Sequence, residues 1–196
     1  MEMIFASSNE HKTSEMRALL RDLGAEVKSL RDVGFSGEIV ENGTTFAENA
    51  MIKASTVAAA FPGKTVFADD SGIAVDALGG EPGIYSARYG GDKCAKDVDR
   101  TALLLKNMEG VDDRSAKFVC AIACVTADGE RFVVEGECRG KLDFEPKGSD
   151  GFGYDPIFIP DGYDRTMGEI SPDEKNKISH RARAISLFID EMRRRA

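Results

Sequence analysis

The sequence predicts a domain of mixed strands and helices, α/β or α+β, built on a mixed sheet. Short apolar runs that read as strands are interspersed with segments whose apolar residues recur at helical spacing. One pair of β-rich runs is joined by a hairpin signal. No internal repeat or low-complexity linker interrupts the 196 residues, a length that suits one domain, or one domain with two lobes.

Residues 3–6 read as a first strand that enters the polar loop Ser7-Ser8-Asn9. From Glu10 onward Met16, Leu19, Leu20 and Leu23 fall at helical spacing, and Gly24 stops the helix. Residues 26–30 form a second strand, and 31–43, with three glycines, a loop or weak strand. Thr45-x-x-Glu48 is a capping box ahead of a helix whose stripe is Phe46, Ala50, Met51, Ala54, Val57 and Ala58; Pro62-Gly63 ends it. Residues 65–68 are strand-like and run into Asp69-Asp70-Ser71-Gly72. A helix is predicted over 95–108, then β-rich runs over 117–126 and 131–137, separated by Ala127-Asp128-Gly129-Glu130. Residues 148–156 form a glycine-rich loop, 157–159 a short strand, and Ser179 caps a final helix carrying Ala184, Ile185, Phe188, Ile189 and Met192.

Composition narrows the function. Hydrophobic residues are 42% and charged residues 31%, the balance of a folded soluble protein. No apolar run is long enough to span a membrane, and the N-terminus has neither the basic nor the apolar segment of a signal peptide, so a cytoplasmic protein is expected. The net charge of −8 disfavours a polynucleotide partner, which needs a basic stripe. A small polyanion stays possible if a metal ion and a few local cations reverse the sign. The four Cys include no C-x-x-C pair and read as reduced core residues. With only His11 and His180 as histidines, a metal site must be built from carboxylates, which points to Mg²⁺ or Mn²⁺.

Four polar clusters sit at element ends. Ser7-Ser8-Asn9-Glu10-His11-Lys12 opens a helix whose N–H groups and dipole suit phosphate. Glu41-Asn42-Gly43 is followed by Asn49 and Lys53, four apart on one helix face. Asp69-Asp70-Ser71-Gly72 ends an apolar strand, and its two acids, pointing to opposite faces, have different tasks; such a pair is tolerable beside a cation. The fourth is Gly151-Phe152-Gly153-Tyr154-Asp155 with Lys175 and Ser179-His180-Arg181, where an aromatic between glycines can stack on a base. Gly63-Lys64-Thr65 is not a P-loop, because position 58 is Ala58 and a strand follows.

These clusters, in this order, resemble the inosine triphosphate pyrophosphatase family. The resemblance rests on Ser7-Ser8-Asn9…Lys12, Glu41-Asn42-Gly43-Thr44-Thr45-Phe46-Ala47-Glu48-Asn49…Lys53, Ala68-Asp69-Asp70-Ser71-Gly72, Leu78-Gly79-Gly80-Glu81-Pro82-Gly83, Gly151-Phe152-Gly153-Tyr154-Asp155-Pro156 and Ile178-Ser179-His180-Arg181, strings that span nearly the whole chain. It implies an elongated α/β fold, a long mixed sheet with flanking helices and two lobes around a central substrate groove, in a homodimer. It implies Mg²⁺-dependent hydrolysis of inosine, deoxyinosine and xanthosine triphosphates to the monophosphate and pyrophosphate. By the same resemblance Asp70 takes the acid–base role and, with Glu41, holds the metal. Ser7, Ser8, Asn9, Glu10, His11, Lys12, Lys53 and Ser71 hold the triphosphate, and Phe152, Gly153, Tyr154, Asp155, Lys175, His180 and Arg181 the base and sugar. A related enzyme with pyrimidine preference, or a non-catalytic nucleotide sensor, is disfavoured by the Phe152–Asp155 and Ser179–Arg181 strings and by the intact Glu41, Asp69 and Asp70.

Overall fold

Along β1 (Glu2–Phe5) the buried side chains alternate, and they feed two different cores. Met3 and Phe5 pack with Met16 and Leu20 near helix α1 (Glu10–Leu19) and with Ala184, Ile185 and Phe188 of helix α5 (His180–Arg195). Ile4 and Ala6 pack with Ala50, Ala54 and Val57 of helix α2 (Phe46–Ala60). Helices therefore cover both faces, as an α/β arrangement requires. These features come from a computed structural model that describes residues 2–21 and 24–195. Leu23, expected at the end of the first helix, lies outside the described residues.

The remaining strands are β2 (Glu26–Ser29), β3 (Thr65–Val75), β4 (Ser115–Val125), β5 (Arg131–Leu142) and β6 (Phe158–Pro160). With β1 they form one six-stranded sheet in the order β2-β1-β3-β4-β5-β6. β1 runs parallel to β2 (Met3 beside Val27) and to β3 (Met3 beside Thr65). β5 and β6 are antiparallel, with Gly140 beside Pro160. The expected α/β class with a mixed sheet is borne out. So is the hairpin: the Thr126 N–H donates to Glu130 O at 2.9 Å and closes the β4–β5 turn.

The chain forms two compact units. The first is drawn from Met1–Asp70, Cys120–Gly136 and Arg181–Ala196. The second is drawn from Ser71–Val119 and Glu137–His180. The second has its own core, in which Ile73, Val75, Phe118 and Phe158 pack with Leu104 of helix α3 (Asp97–Asn107) and with Ile178 of helix α4 (Pro172–Ile178).

One expectation needs correction. β3 does not stop at residue 68: it runs through Asp69-Asp70-Ser71-Gly72 to Val75, so the acid pair lies within a buried strand instead of at its end. The β-branched and apolar residues Ile73 and Val75 carry the strand onward. Residues 31–43, expected as loop or weak strand, hold turns and loop. Ser179 stands immediately before α5, at the capping position expected of it, and it also closes α4, its N–H donating to Lys175 O at 2.9 Å. α4 itself was not expected, although Ser171 caps it and Pro172 occupies its first position.

The first unit's core depends on Phe188, which is fully buried with its ring 5.4 Å from Phe67 and 5.7 Å from Phe132. Phe188→Ala is expected to lower unfolding stability by about 3–5 kcal/mol, read from denaturant unfolding.

Candidate active site

The first unit gathers a charged cluster around the two acids of β3. Neighbouring strand positions send Asp69 and Asp70 to different partners. Lys12 Nζ lies 3.1 Å from Asp69 Oδ1 and 3.0 Å from Oδ2. Arg181 Nη2 donates to Asp69 Oδ2 at 3.2 Å, and its Nη1 pairs with Glu15 on α1. Burial opposes the charge on Asp69, but Lys12, Arg181 and Lys53 outweigh it and hold its carboxyl far below the usual range. Burial likewise opposes the charge on Arg181, and Asp69 and Glu15 reverse the balance. Cys120 lies against this pair, Sγ 4.0 Å from Asp69 Oδ2, and burial, reinforced by the Asp69 charge, pushes its thiol up to about 12. It is an inert core thiol, as its apolar run predicted.

Asp70 has the opposite fate. Its Oδ1 accepts from Lys53 Nζ at 3.0 Å, while Oδ2 is buried and has no hydrogen-bond partner. Burial pushes its carboxyl up, and Lys53 only partly offsets this. Lys53 also donates to Glu41 Oε2 at 2.8 Å, so two carboxylates from distant segments meet at one ammonium. Burial works against the Lys53 charge, but Asp70, Asp69 and Glu41 together raise its pKa. The loop that delivers Glu41 is fixed by Asn49, whose Oδ1 accepts from the Gly43 N–H at 2.9 Å. Only glycine fits at position 43, because a Cβ there would come within 2.7 Å of Glu48 Cβ and 2.8 Å of Asn49 Oδ1.

The loop from Ser7 to Lys12 is an ordinarily capped helix start. Asn9 Oδ1 accepts from the N–H groups of His11 (3.0 Å) and Lys12 (3.2 Å), and Ser7 Oγ accepts from Asn9 N–H at 3.2 Å. Some of the donors expected to be offered to a phosphate are thus engaged. Ser8, Glu10 and His11 are exposed, Lys12 reaches the acid cluster, and Ser71 is half-buried beside Asp70.

The second unit carries the aromatic loop. Gly151 adopts φ +76, and a Cβ there would lie 2.1 Å from Asp155 Oδ2, so position 151 requires glycine. That same oxygen accepts from the Phe152 N–H at 2.8 Å and from Lys175 Nζ at 2.7 Å. The Lys175 ammonium stands 4.9 Å from the centre of the half-buried Phe152 ring, a cation–π contact. Tyr154 is buried, its O–H donating to Ser86 O at 2.8 Å, which makes it an anchor for the loop. His180 is buried with its ring stacked on Phe118 at 4.7 Å and 13°.

Asp70 and Glu41 are the candidate metal ligands. Among the described residues no group of three or more His, Cys, Asp or Glu could hold a metal ion by itself. Mg²⁺, however, is usually held by one or two carboxylates, waters and substrate phosphates. Asp70, with its buried unpartnered oxygen, and Glu41 fit that requirement.

The sequence model of the Ham1 family matches residues 3–191. The chain belongs to the Ham1 family. It is 51% identical over 186 residues to the dITP/XTP pyrophosphatase of Bacillus licheniformis, covering 94% of each chain. It is 47% identical to the protein of that name from Bacillus subtilis, covering 94% of this chain and 93% of the relative. The solved Staphylococcus aureus Ham1 protein superposes with a TM-score of 0.89 at 38% identity, with 100% of each chain covered. The resemblance drawn from the sequence motifs is therefore borne out.

Sequence reading of this Ham1 chain missed Glu15, the second anchor of Arg181. Its spacing from Lys12, one helical turn along α1, is the signal that could have found it.

The two acids should separate in stability measurements. Asp69→Asn is expected to lower stability by about 3–5 kcal/mol, because it strands Lys12 and the buried Arg181. Asp70→Asn should leave the unfolding midpoint close to wild type. The pH sign follows from the depressed Asp69 carboxyl: its contribution is present above the ordinary value of 3.8 and is lost as pH falls further. Unfolding curves between neutral and acid pH should therefore fall more steeply for wild type than for Asp69→Asn.

Proposed function

We propose that this Ham1-family protein hydrolyses inosine, deoxyinosine and xanthosine triphosphates to the nucleoside monophosphate and pyrophosphate. The observation that carries the reading is the unequal acid pair: Asp69 is neutralised by two cations, while Asp70 keeps an elevated pKa and a buried oxygen without a partner. Such a carboxylate can orient a water and take its proton. The names of the relatives, dITP/XTP pyrophosphatase, agree with it.

Charge accounting supports a divalent cation. Three cations (Lys12, Lys53, Arg181) meet four carboxylates (Glu15, Glu41, Asp69, Asp70), leaving one net negative charge in the cluster. A strongly anionic triphosphate needs more positive charge than that. Mg²⁺ held by Asp70 and Glu41 would supply it and polarise the phosphoryl oxygens. Lys53 and Lys12 then serve as charge-assisted donors to phosphate oxygens, with Ser7, Ser8, Asn9, Glu10, His11 and Ser71 completing the triphosphate contacts. In the second unit Phe152 stacks on the base, and Gly153, Tyr154, Asp155, Lys175 and His180 shape its surroundings. The family resemblance gives Arg181 to base and sugar recognition as well. The protein works in the cytoplasm as a homodimer on the free nucleotide pool, as the family resemblance implies.

The 6-oxo group and N1–H of inosine and xanthosine invert the donor–acceptor order of adenine. Buried donors aimed at a 6-oxo group face the 6-amino donor of ATP, and such mismatches can reach about 10⁴-fold discrimination. A panel of triphosphates assayed for pyrophosphate release with Mg²⁺ and with EDTA tests the reading. Inosine and xanthosine triphosphates should be cleaved only with Mg²⁺, and ATP poorly; equal kcat/KM for ATP and inosine triphosphate would refute the base selectivity. Asp70→Asn should lower kcat by about 10²–10⁴ with the fold intact, and Glu41→Gln less, with partial recovery in excess Mg²⁺.

The pH profile has a definite sign. Asp70 acts deprotonated; burial raises its pKa in the metal-free protein and bound Mg²⁺ would lower it, so kcat/KM should fall on the acid side as Asp70 gains a proton. Lys53 pulls that pKa down, so Lys53→Met should move the acid limb to higher pH.

A further inference from the structure

The aromatic loop is held by a helix that has no part in the reading above. The Gly153 N–H donates to Asp97 Oδ2 at 2.8 Å, and Gly153 O accepts from Thr101 Oγ1 at 3.3 Å. Asp97 and Thr101 are four apart at the start of α3, so they present one face. Both polar groups of Gly153 are thereby fixed by partners more than fifty residues away in the chain.

Neither side chain caps its own helix. The N-terminal cap of α3 is supplied by Asp99, whose Oδ2 accepts from the Lys96 N–H at 3.1 Å. Asp97 is free of that task, and its other oxygen is oriented by Arg100, which in turn donates to Cys94 O at 2.9 Å and Ala95 O at 3.2 Å. A helical threonine commonly turns its hydroxyl back to the carbonyl four residues earlier. Thr56 in α2 does so, reaching Ile52 O at 2.8 Å. Thr101 is buried and turns outward to the loop instead.

The consequence falls on Phe152. Its N–H is held by Asp155, its carbonyl accepts from the Asp155 N–H at 3.2 Å, and the following peptide is held by α3. With the backbone locked on both sides, the direction in which Phe152 projects its side chain is set before any base arrives, which removes part of the ordering cost from binding.

We infer that Asp97 and Thr101 are positioning residues that act through Phe152 in base stacking. The inference rests on the base-binding role given to Phe152 above. Thr101→Val keeps the shape and removes the donor. It should raise KM for inosine triphosphate by about 3- to 10-fold with kcat within about twofold, Asp97→Ala should do the same, and Thr101→Ser should restore wild-type KM. In a Phe152→Ala background Thr101→Val should add nothing further, because the ring it positions is gone. Hydrogen exchange adds a readout that does not use the reaction: the amides of residues 152–154 should exchange faster in Thr101→Val and Asp97→Ala, with the rest of the protein unchanged. A KM increase of equal size with and without Phe152, a fall in kcat at constant KM, or failure of Thr101→Ser to rescue would overturn the role. Unchanged exchange at residues 152–154 would overturn the clamp itself. If wild type released no pyrophosphate, the hydrolase reading would fail, while exchange would still decide whether α3 holds the loop.

Discussion

A carboxylate buried in the middle of a strand is the constraint on which the first unit is organised. An isolated charge there is far too costly to keep, so Asp69 demands cations of its own. Lys12 comes from the first turn of α1 and Arg181 from the first turn of α5. The two helices that cover one face of the strands are therefore tied by charge to the same point that their apolar residues pack around. Glu15 extends the network by satisfying the other arm of Arg181. Packing alone would tolerate small shifts of either helix; the ion pairs fix where each begins.

Asp70 has a different balance because its partners are fewer. It shares one ammonium with Glu41 and keeps an oxygen that nothing satisfies. Adjacent positions on one strand thus divide the labour, one acid holding the structure and the other left incompletely compensated. Incomplete compensation is a stability loss in a folded protein, and it is retained where chemistry uses it. Tying the neighbouring acid so firmly is what makes that tolerable, since the strand cannot relax to relieve Asp70 without breaking Asp69 from Lys12 and Arg181.

Much of this was legible in the sequence wherever the signal was local. The capping box before α2 is real in part: Thr45 Oγ1 accepts from the Glu48 N–H at 3.1 Å, while the Glu48 carboxylate reaches Thr44 N at 2.6 Å instead of closing on Thr45. The β4–β5 hairpin, the helical stripe of α2 and the polar clusters stood out for the same reason. β3 was cut short because Asp-Asp-Ser-Gly has the local chemistry of a turn. The residues that let it remain strand, Lys12 and Arg181, are 57 and 112 positions away. The Asp97 and Thr101 contacts to Gly153 were invisible for the same reason, since nothing in the sequence of α3 marks one face as a clamp. α4 is different: Ser171-Pro172-Asp173-Glu174 is a local start signal that the sequence does carry.

The second unit solves its own positioning problem with the same device. Asp155 is buried, and one of its oxygens takes both the Lys175 ammonium and the Phe152 N–H, so a buried ion pair is again used to hold something else in place. Buried pairs of this kind add little net stability, because desolvation offsets most of the attraction. Their value is directional. A charge-assisted hydrogen bond has a fixed length and angle that an apolar contact lacks, and removing either partner is heavily penalised. Asp69 in the first unit and Asp155 in the second each fix the placement of another group, the Lys12 ammonium and the Phe152 backbone. A chain that carries eight excess negative charges still spends buried acids in this way. It does so because local cations neutralise each one, and what remains is fixed geometry where recognition needs it.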